Sequence, residues 1–218
     1  MSDIQDYIQR ISKRQDERFA LKSYNDVKFD GAKNAFIECC KLVVPQWIDK
    51  NPDVTDEIVR YCIQSEKFDG DCSKGLILMG NTGVGKTVYL KALSLMMGYS
   101  NQFRFKTYTG FEMERVYIRD DEQENFKLGV ALSAKMFGID DLGEEHTSIK
   151  RYGTEINVGV DALTQRHQLY VDKGYLTFAT TNLNAELIAK KYGNRIESRI
   201  HEMFNMIGVK GNDLRKKK

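Results

Sequence analysis

A glycine-rich segment that follows a short apolar run constrains the fold of this chain more than any other feature. Residues 75–87 read Gly-Leu-Ile-Leu-Met-Gly-Asn-Thr-Gly-Val-Gly-Lys-Thr. The apolar run predicts a buried strand, and the segment after it matches G-x-x-x-x-G-K-[ST], the phosphate-binding P-loop. A glycine-rich turn with a solvated lysine is the alternative interpretation, but the preceding strand and the following helix-like run favour the P-loop.

Each part of this loop suits a phosphate group. Its glycines allow backbone conformations and close approaches that a Cβ atom would block, and the loop amides then point inward to bind anions. Lys86 is expected to be exposed to phosphate rather than part of the core, and the Thr87 hydroxyl suits Mg²⁺. The predicted nucleotide contacts are Asn81, Thr82, Gly83, Val84, Gly85, Lys86, Thr87 and Val88.

Apolar runs recur along the chain and predict the strands of one sheet. Strands are predicted at 76–79, 103–107, 136–140 and 175–180, with a weaker one near 206–209. Helix-like runs lie between them, so the pattern is typical of an α/β fold with a parallel sheet covered on both faces. The stretch 103–108 mixes aromatic residues with cations, as single-strand binding sites do, but a strand with one buried face is favoured.

Helices are predicted from apolar spacing and from capping signals. The predicted helices are 4–21, 31–49, 55–68, 86–97, 113–119 and 154–171. Thr55 is predicted as a cap, Pro45 as a helix end or kink, Gly98 as a helix end and Thr109–Glu112 as a capping box. The acidic stretch 120–124 predicts a solvated loop.

Composition narrows the class of protein. The net charge of the 218 residues is only +2. The segment from Lys190 to Lys218, however, contains nine Lys and Arg residues and only three Asp and Glu residues, which predicts a solvated basic tail or a contact to phosphate backbones. The first residues lack the features of a signal peptide, and no run approaches the roughly 20 apolar residues of a membrane span. Four cysteines without a C-x-x-C pair predict no zinc site and a reduced, cytoplasmic protein.

Two aspartates end the strand predicted at 136–140. Open α/β sheets place ligands at the carboxyl ends of their strands, and carboxylate oxygens suit Mg²⁺. Asp140 is therefore predicted to hold the ion through water, and Asp141 to orient or deprotonate an attacking water. A helix cap or turn is the alternative role of these aspartates.

Two further polar groups complete the predicted site. The strand at 175–180 runs into Thr180-Thr181-Asn182, whose amide can donate to a γ-phosphate or a water. The stretch Tyr192-Gly-Asn-Arg195-Ile-Glu-Ser198-Arg199 places two guanidinium groups one helical turn apart after Gly193. A guanidinium often stabilises charge in trans during phosphoryl transfer, although surface pairing with Glu202 is the alternative.

In this order, these motifs resemble the AAA+ ATPases of the DnaC/IstB group, most of all the DnaC-type replicative helicase loaders of bacteria and phages. The resemblance covers about residues 51–218 and includes the Gly211–Arg215 ending. It implies a P-loop NTPase fold of the AAA+ type with a five-stranded parallel sheet, and ATP with Mg²⁺. It also implies that Asn182 is the first sensor residue and that Arg199 is an arginine finger reaching a neighbour's ATP across a homo-oligomeric interface.

The sequence departs from the family at one catalytic position. Many AAA+ enzymes have Glu where this chain has Asp141, which predicts slow hydrolysis. Glu145 is a possible assistant, although a solvated loop glutamate is favoured. Arg166 matches a frequent family arginine of less certain role, and Arg215 is a possible second-sensor group.

The resemblance predicts two parts and a set of partners. Residues 1–50 are predicted as an N-terminal helical extension that binds a replicative helicase, with a covering layer for the core as the alternative, and residues 51–218 as the ATPase domain. The predicted function is an ATP-hydrolysing helicase loader that acts on single-stranded DNA. An IstB-like transposition helper on duplex DNA and a scaffold with negligible turnover are the alternatives.

Overall fold

A parallel sheet of five strands forms the centre of the structure, a computed structural model that describes residues 29–101, 104–119, 121–151, 154–211 and 213. Its strands are β1 (Gly75–Met79), β2 (Lys106–Thr109), β3 (Met136–Leu142), β6 (Leu176–Thr181) and β7 (Phe204–Gly208). They lie in the order β2-β3-β6-β1-β7. The remaining two, β4 (Ile149–Arg151) and β5 (Thr154–Ile156), pair as an antiparallel hairpin. The predicted five-stranded parallel sheet is confirmed.

Helices cover both faces of this sheet. The described helices are α1 (Phe29–Val43), α2 (Pro52–Cys62), α3 (Lys86–Asn101), α4 (Gly110–Arg119), α5 (Glu122–Leu132), α6 (Val158–Lys173), α7 (Ala185–Tyr192) and α8 (Asn194–Met203). Successive residues of β1 point to opposite faces, so Leu76 and Leu78 pack with α1–α3, whereas Ile77 packs with α4–α8. The sheet is thus buried between two apolar layers, as its uninterrupted apolar strands predict.

Helix α1 belongs to the first of these layers. The rings of Phe36 in α1 and Tyr89 in α3 are both 0% exposed and stack with their centroids 6.3 Å apart. Residues 29–43 therefore contribute to the core that supports the P-loop helix. The predicted helix 4–21 lies outside the described residues, and the division into 1–50 and 51–218 stays a prediction.

Several predicted helix ends differ from the structure. Helix α1 stops at Val43, two residues before Pro45. Helix α2 begins at Pro52 instead of after Thr55, whose hydroxyl is buried and donates to the Tyr89 hydroxyl at 3.4 Å. Helix α3 continues past Gly98 to Asn101. A Cβ on Gly98 would lie 2.8 Å from the Cβ of Arg104, so this glycine permits close packing of the returning chain.

The chain after β2 also differs from the prediction. The capping box is present, with reciprocal hydrogen bonds of 2.7 and 3.0 Å between Thr109 and Glu112, but α4 begins already at Gly110. Asp121, predicted in a loop, accepts from the amides of Gln123 and Glu124 and caps α5. Residues 154–156 form β5, and α6 begins at Val158 with Asn157 as its cap.

Phe105 is the buried residue of the stretch 104–108. Strand β2 begins at Lys106, later than predicted, and Phe105 before it is 5% exposed. The Phe105 ring stacks on Phe178 with centroids 4.7 Å apart. This aromatic side chain is therefore used for packing, as the favoured interpretation predicts.

Arg166 is a buried structural residue of α6. Its side chain is 0% exposed, and burial lowers its pKa to about 10. The guanidinium donates to the Thr177 hydroxyl at 2.9 Å and to the carbonyl oxygens of Leu132, Ala134 and Leu176 at 2.8, 2.7 and 2.6 Å. It therefore ties α6, the end of α5 and the start of β6 together.

We expect Arg166→Ala to lower the free energy of unfolding by about 3 kcal/mol or more, because three carbonyl groups lose their donor and a cavity opens. Arg115→Ala, on the exposed side of α4, is the matched control and should change it by less than about 0.5 kcal/mol. Chemical denaturation measures both variants. Equal stability of the two would contradict the structural role of Arg166.

Candidate functional site

The P-loop connects β1 to α3 at the carboxyl edge of the sheet. Gly83 and Gly85 have φ values of 83° and 99°, in the region that L side chains rarely adopt. A Cβ on Gly80 would collide with the carbonyl oxygen of Val209, at the end of β7. Two of the motif glycines are thus needed for conformation and the third for close approach of the backbone.

Lys86 is more buried than predicted, with 5% of its surface exposed. Its ammonium group donates to the carbonyl oxygens of Gly80 and Asn81 at 2.8 Å each, and to the Asn182 side-chain oxygen at 2.7 Å. These oxygens belong to the loop and to the neighbouring strand end. The lysine therefore lies inside the loop, with its charge at the point where phosphates would bind.

Asp140 joins three elements of the site. It is 4% exposed, and its Oδ1 accepts from the Thr87 hydroxyl at 3.0 Å and from the Thr180 hydroxyl at 2.6 Å. These residues lie on β3, at the start of α3 and on β6. Mg²⁺ is often held by one carboxylate together with phosphate oxygens, so Thr87 and Asp140 fit such an ion. In the described part of the chain, no cluster of three or more His, Cys, Asp and Glu side chains offers another metal site.

Asp141 lies within an irregularity, between Ile139 and Leu142, in the pairing of β3 with β6. Its φ is 53°, and its amide donates to the Thr180 hydroxyl oxygen at 2.8 Å. The side chain of Asp141 lines the same cleft as the P-loop.

Asn182 lies between the P-loop lysine and a glutamate that sequence reasoning missed. Its Oδ1 accepts from Lys86, and its Nδ2 donates to Glu144 Oε1 at 2.8 Å. Glu144 is exposed and lines the cleft. The only signal in the sequence was the pair of glutamates after Leu142-Gly143, and the sequence alone does not show which of them faces the cleft.

Glu145, for which the sequence favours a solvated loop position, is buried instead. It is 2% exposed, accepts from the Gly143 amide at 2.9 Å and accepts a short hydrogen bond from the Tyr192 hydroxyl. Burial, and then the nearby Glu145 carboxylate, raise the pKa of Tyr192, so the phenol stays a donor. The ammonium group of Lys191 binds the Glu145 carbonyl oxygen at 2.6 Å. Glu145 thus anchors the loop after β3 to α7.

A cleft of about 700 Å³ opens over the P-loop. The segment after α1 forms its apolar wall, with Val44, Trp47 and Ile48 among the lining residues. Trp47 packs edge-on against Tyr89 with ring centroids 5.3 Å apart, and the Tyr89 hydroxyl binds Asp49 at 3.2 Å. The wall is thus fastened to the helix that carries Lys86, and an apolar wall beside a phosphate site suits a nucleotide base.

The structure does not bring the two predicted arginines to this cleft. Arg199 is partly exposed on α8 and donates to the Thr164 hydroxyl at 2.9 Å, rather than to Glu202, which pairs with His167. Arg195 is exposed on the same helix. Neither lines the cleft of its own chain, and Arg215 lies outside the described residues.

Several solved structures are similar to this chain. The DnaC helicase loader matches with a TM-score of 0.54 and 19% identity over 75% of this chain and 94% of that chain. DnaI matches with a TM-score of 0.57 and 23% identity over 75% and 88%. The replication initiator DnaA bound to AMPPCP and single-stranded DNA matches with a TM-score of 0.55 and 11% identity over 76% and 48%. No protein-family model and no curated protein matches the sequence.

These likenesses agree with the motifs and establish the fold. The chain has a P-loop NTPase fold of the AAA+ type, and it resembles the DnaC-type proteins as predicted. Among the described residues, no helix has both the length and the apolar character needed to cross a bilayer.

We expect Lys86→Ala to weaken ATP binding by about 100-fold or more, because contacts of a charged group contribute about 1.5–3 kcal/mol each. Lys91→Ala is the matched control, since Lys91 is exposed on the same helix. Binding of a fluorescent ATP analogue and the ATP-dependent rise in melting temperature measure the effect. Unchanged affinity in Lys86→Ala would contradict the assignment of the P-loop.

Proposed function

We propose that this protein is an Mg²⁺-dependent ATPase of DNA replication that acts as a DnaC-type helicase loader in the cytoplasm. One observation carries the ATPase part of the proposal. Lys86 at the start of α3 donates to Asn182 at the end of β6, and Asp140 of β3 accepts from Thr87, the residue after Lys86, and from Thr180 of β6. Lys86, Asp140 and Asn182 are the positive charge, the metal anchor and the neutral donor that phosphoryl transfer uses.

Different residues of the cleft are proposed to bind different parts of ATP. In this proposal the amides of Asn81–Val88 and the Lys86 ammonium bind the phosphates, and the apolar wall at Val44–Ile48 contacts the base. Thr87 and Asp140 would hold Mg²⁺, which neutralises charge on the phosphate oxygens when it is bound. Asn182 would contact the γ-phosphate, with Asp141 as the water-activating residue that the sequence predicts.

Arg199 is proposed to act on the ATP of a neighbouring subunit. It lies away from the cleft of its own chain, is partly exposed, and donates to the neutral hydroxyl of Thr164. A guanidinium supplied in trans stabilises the charge that develops during phosphoryl transfer. The active form would then be a homo-oligomer whose subunits are bridged by ATP.

The DNA and helicase parts of the proposal rest on the structural neighbours. One of them is a helicase loader, and another is a replication initiator bound to single-stranded DNA. We propose that this chain likewise binds single-stranded DNA, and that its N-terminal part, within residues 1–50, binds a replicative helicase.

Arg199→Ala should bind ATP normally and fail to hydrolyse it, because the missing guanidinium acts on the next subunit. Mixing Arg199→Ala with Lys86→Ala subunits should restore part of the activity, since an intact arginine then meets an intact P-loop across one interface. Phosphate release at several mixing ratios measures this, with assembly confirmed by size. Absence of recovery at every ratio would count against action in trans.

Removal of residues 1–28 should abolish binding to the cognate helicase, because the proposed helicase-binding part lies at the N-terminus. The same truncation should preserve ATP binding, because it keeps α1 and every described residue. Removal of residues 1–50 is the contrasting variant. It should destabilise the protein, because it deletes Phe36 from the core at a cost of about 3–5 kcal/mol for that side chain alone.

Co-elution with the helicase and affinity for single-stranded and duplex DNA are measured on the full chain and on the shorter truncation. A truncation that lacks residues 1–28 and still binds the helicase would place the contact on the ATPase domain. A full chain that ignores the helicase and prefers duplex DNA would instead support a transposition helper.

A further inference from the structure

The turn after β3 carries a glutamate into the nucleotide cleft. Gly143, with φ 103°, reverses the chain, and the amide of Glu144 donates to the carbonyl oxygen of Asp141 at 3.1 Å. This turn places the exposed side chain of Glu144 in the same cleft as Lys86 and Asp141.

Asn182 orients the carboxylate of Glu144. The Asn182 amide donates to Glu144 Oε1 at 2.8 Å, while its oxygen accepts from the Lys86 ammonium at 2.7 Å. Two hydrogen bonds through a single side chain therefore connect the carboxylate to the group that binds the terminal phosphates. A general base has to lie within hydrogen-bond reach of the water that it deprotonates. The contact through Asn182 places the Glu144 carboxylate on the side of the cleft where Lys86 would bind the terminal phosphates.

The backbone below Glu144 is held in place from the opposite side. Glu145 points away from the cleft, where it binds the Gly143 amide and the Tyr192 hydroxyl. A Cβ on Gly159 would lie 2.6 Å from Glu145 Oε1, so the pocket around this carboxylate is tightly filled. The turn is thus fixed, while the Glu144 side chain is directed into the cleft.

We propose that Glu144 is the general base of the ATPase reaction, an inference that rests on the proposed function above. The oxygen of a water molecule forms a bond to the γ-phosphorus, and the bond from that phosphorus to the β,γ-bridging oxygen breaks. ADP leaves with the electron pair of the broken bond, and Glu144 takes one proton of the water. That proton then passes to solvent, so ATP and water give ADP, phosphate and a proton.

Glu144 is better placed for this role than Asp141, the base that the sequence predicts. Asp141 stands on left-handed backbone directly after the metal anchor, and its amide is tied to Thr180. The Glu144 side chain is longer than that of Asp141 by one methylene group. Its carboxylate is oriented by the side-chain amide of Asn182, which also contacts Lys86. The chain thus has a glutamate at the reacting end of the cleft even though the residue after Asp140 is an aspartate.

The first test separates ground-state binding from the transition state in the full-length protein. ADP with beryllium fluoride imitates bound ATP, and ADP with aluminium fluoride imitates the transition state that includes the attacking water. Glu144→Gln should retain affinity for ATP and for the beryllium complex, lose affinity for the aluminium complex and hydrolyse ATP about 10²–10⁴ times more slowly. Glu66→Gln, at an exposed turn before β1, is the matched control and should behave as wild type.

Two results of this test would overturn the proposal. One is hydrolysis by Glu144→Gln within tenfold of the wild-type rate. The other is a parallel loss of ATP and of both fluoride complexes, which would make Glu144 a binding residue. If wild-type protein itself neither binds nor hydrolyses ATP, the proposed function fails, and that result is distinguishable because it needs no Glu144 variant.

The second test asks whether the lost group is a proton acceptor. Formate is a small carboxylate that can enter the space left in Glu144→Ala, and it should restore part of the turnover there but not in Asp141→Ala. Recovery of Asp141→Ala, with or without recovery of Glu144→Ala, would assign the proton to Asp141 and contradict the proposal. Absence of recovery in Glu144→Ala would leave it a positioning residue, which also contradicts the proposal.

Discussion

The hydrogen bonds of Asp140 are the interactions on which the rest of the site depends. One oxygen of this buried carboxylate accepts from Thr87 and from Thr180, so it fixes the start of α3 and the end of β6 relative to β3. A buried carboxylate is costly unless it is hydrogen-bonded, which makes both threonines structural partners as well as site residues. These bonds therefore fix the P-loop helix, the end of β3 and the end of β6 relative to one another.

The ammonium group of Lys86 lies at the same edge of the sheet, in a position suited to binding phosphate. Lys86 is almost fully buried, and the carbonyl oxygens of Gly80 and Asn81 together with Asn182 hold its ammonium group. Neutral oxygens compensate a buried cation less well than anionic ones do. Phosphate oxygens in the cleft would therefore bind this group more strongly than these neutral oxygens do.

Sequence reasoning predicted the positions of residues that follow recognisable strands and failed where tertiary contacts decide. The placement of the P-loop, Asp140 and Asn182 at one edge of the sheet could be predicted because each follows an apolar strand, and parallel strands bring their carboxyl ends together. The distinction between Glu144 and Glu145 could not, because it depends on the left-handed turn at Gly143 and on the distant Tyr192. The pattern of charges likewise gave no sign that Arg166 is fully buried, since its partners are mostly backbone carbonyls of other elements.

The network of Glu145 links the two ends of the site that lie far apart in sequence. Its carboxylate holds the turn that presents Glu144, and its contacts with Tyr192 and Lys191 are made at the last residues of α7. Gly193, with φ 86°, separates α7 from α8 by a single residue, and α8 carries Arg199. A shift of α7 would have to break a buried hydrogen bond to a carboxylate, which costs more than a bond between neutral groups. The turn that carries Glu144 and the helix that carries Arg199 are therefore connected through Glu145 and the last residues of α7.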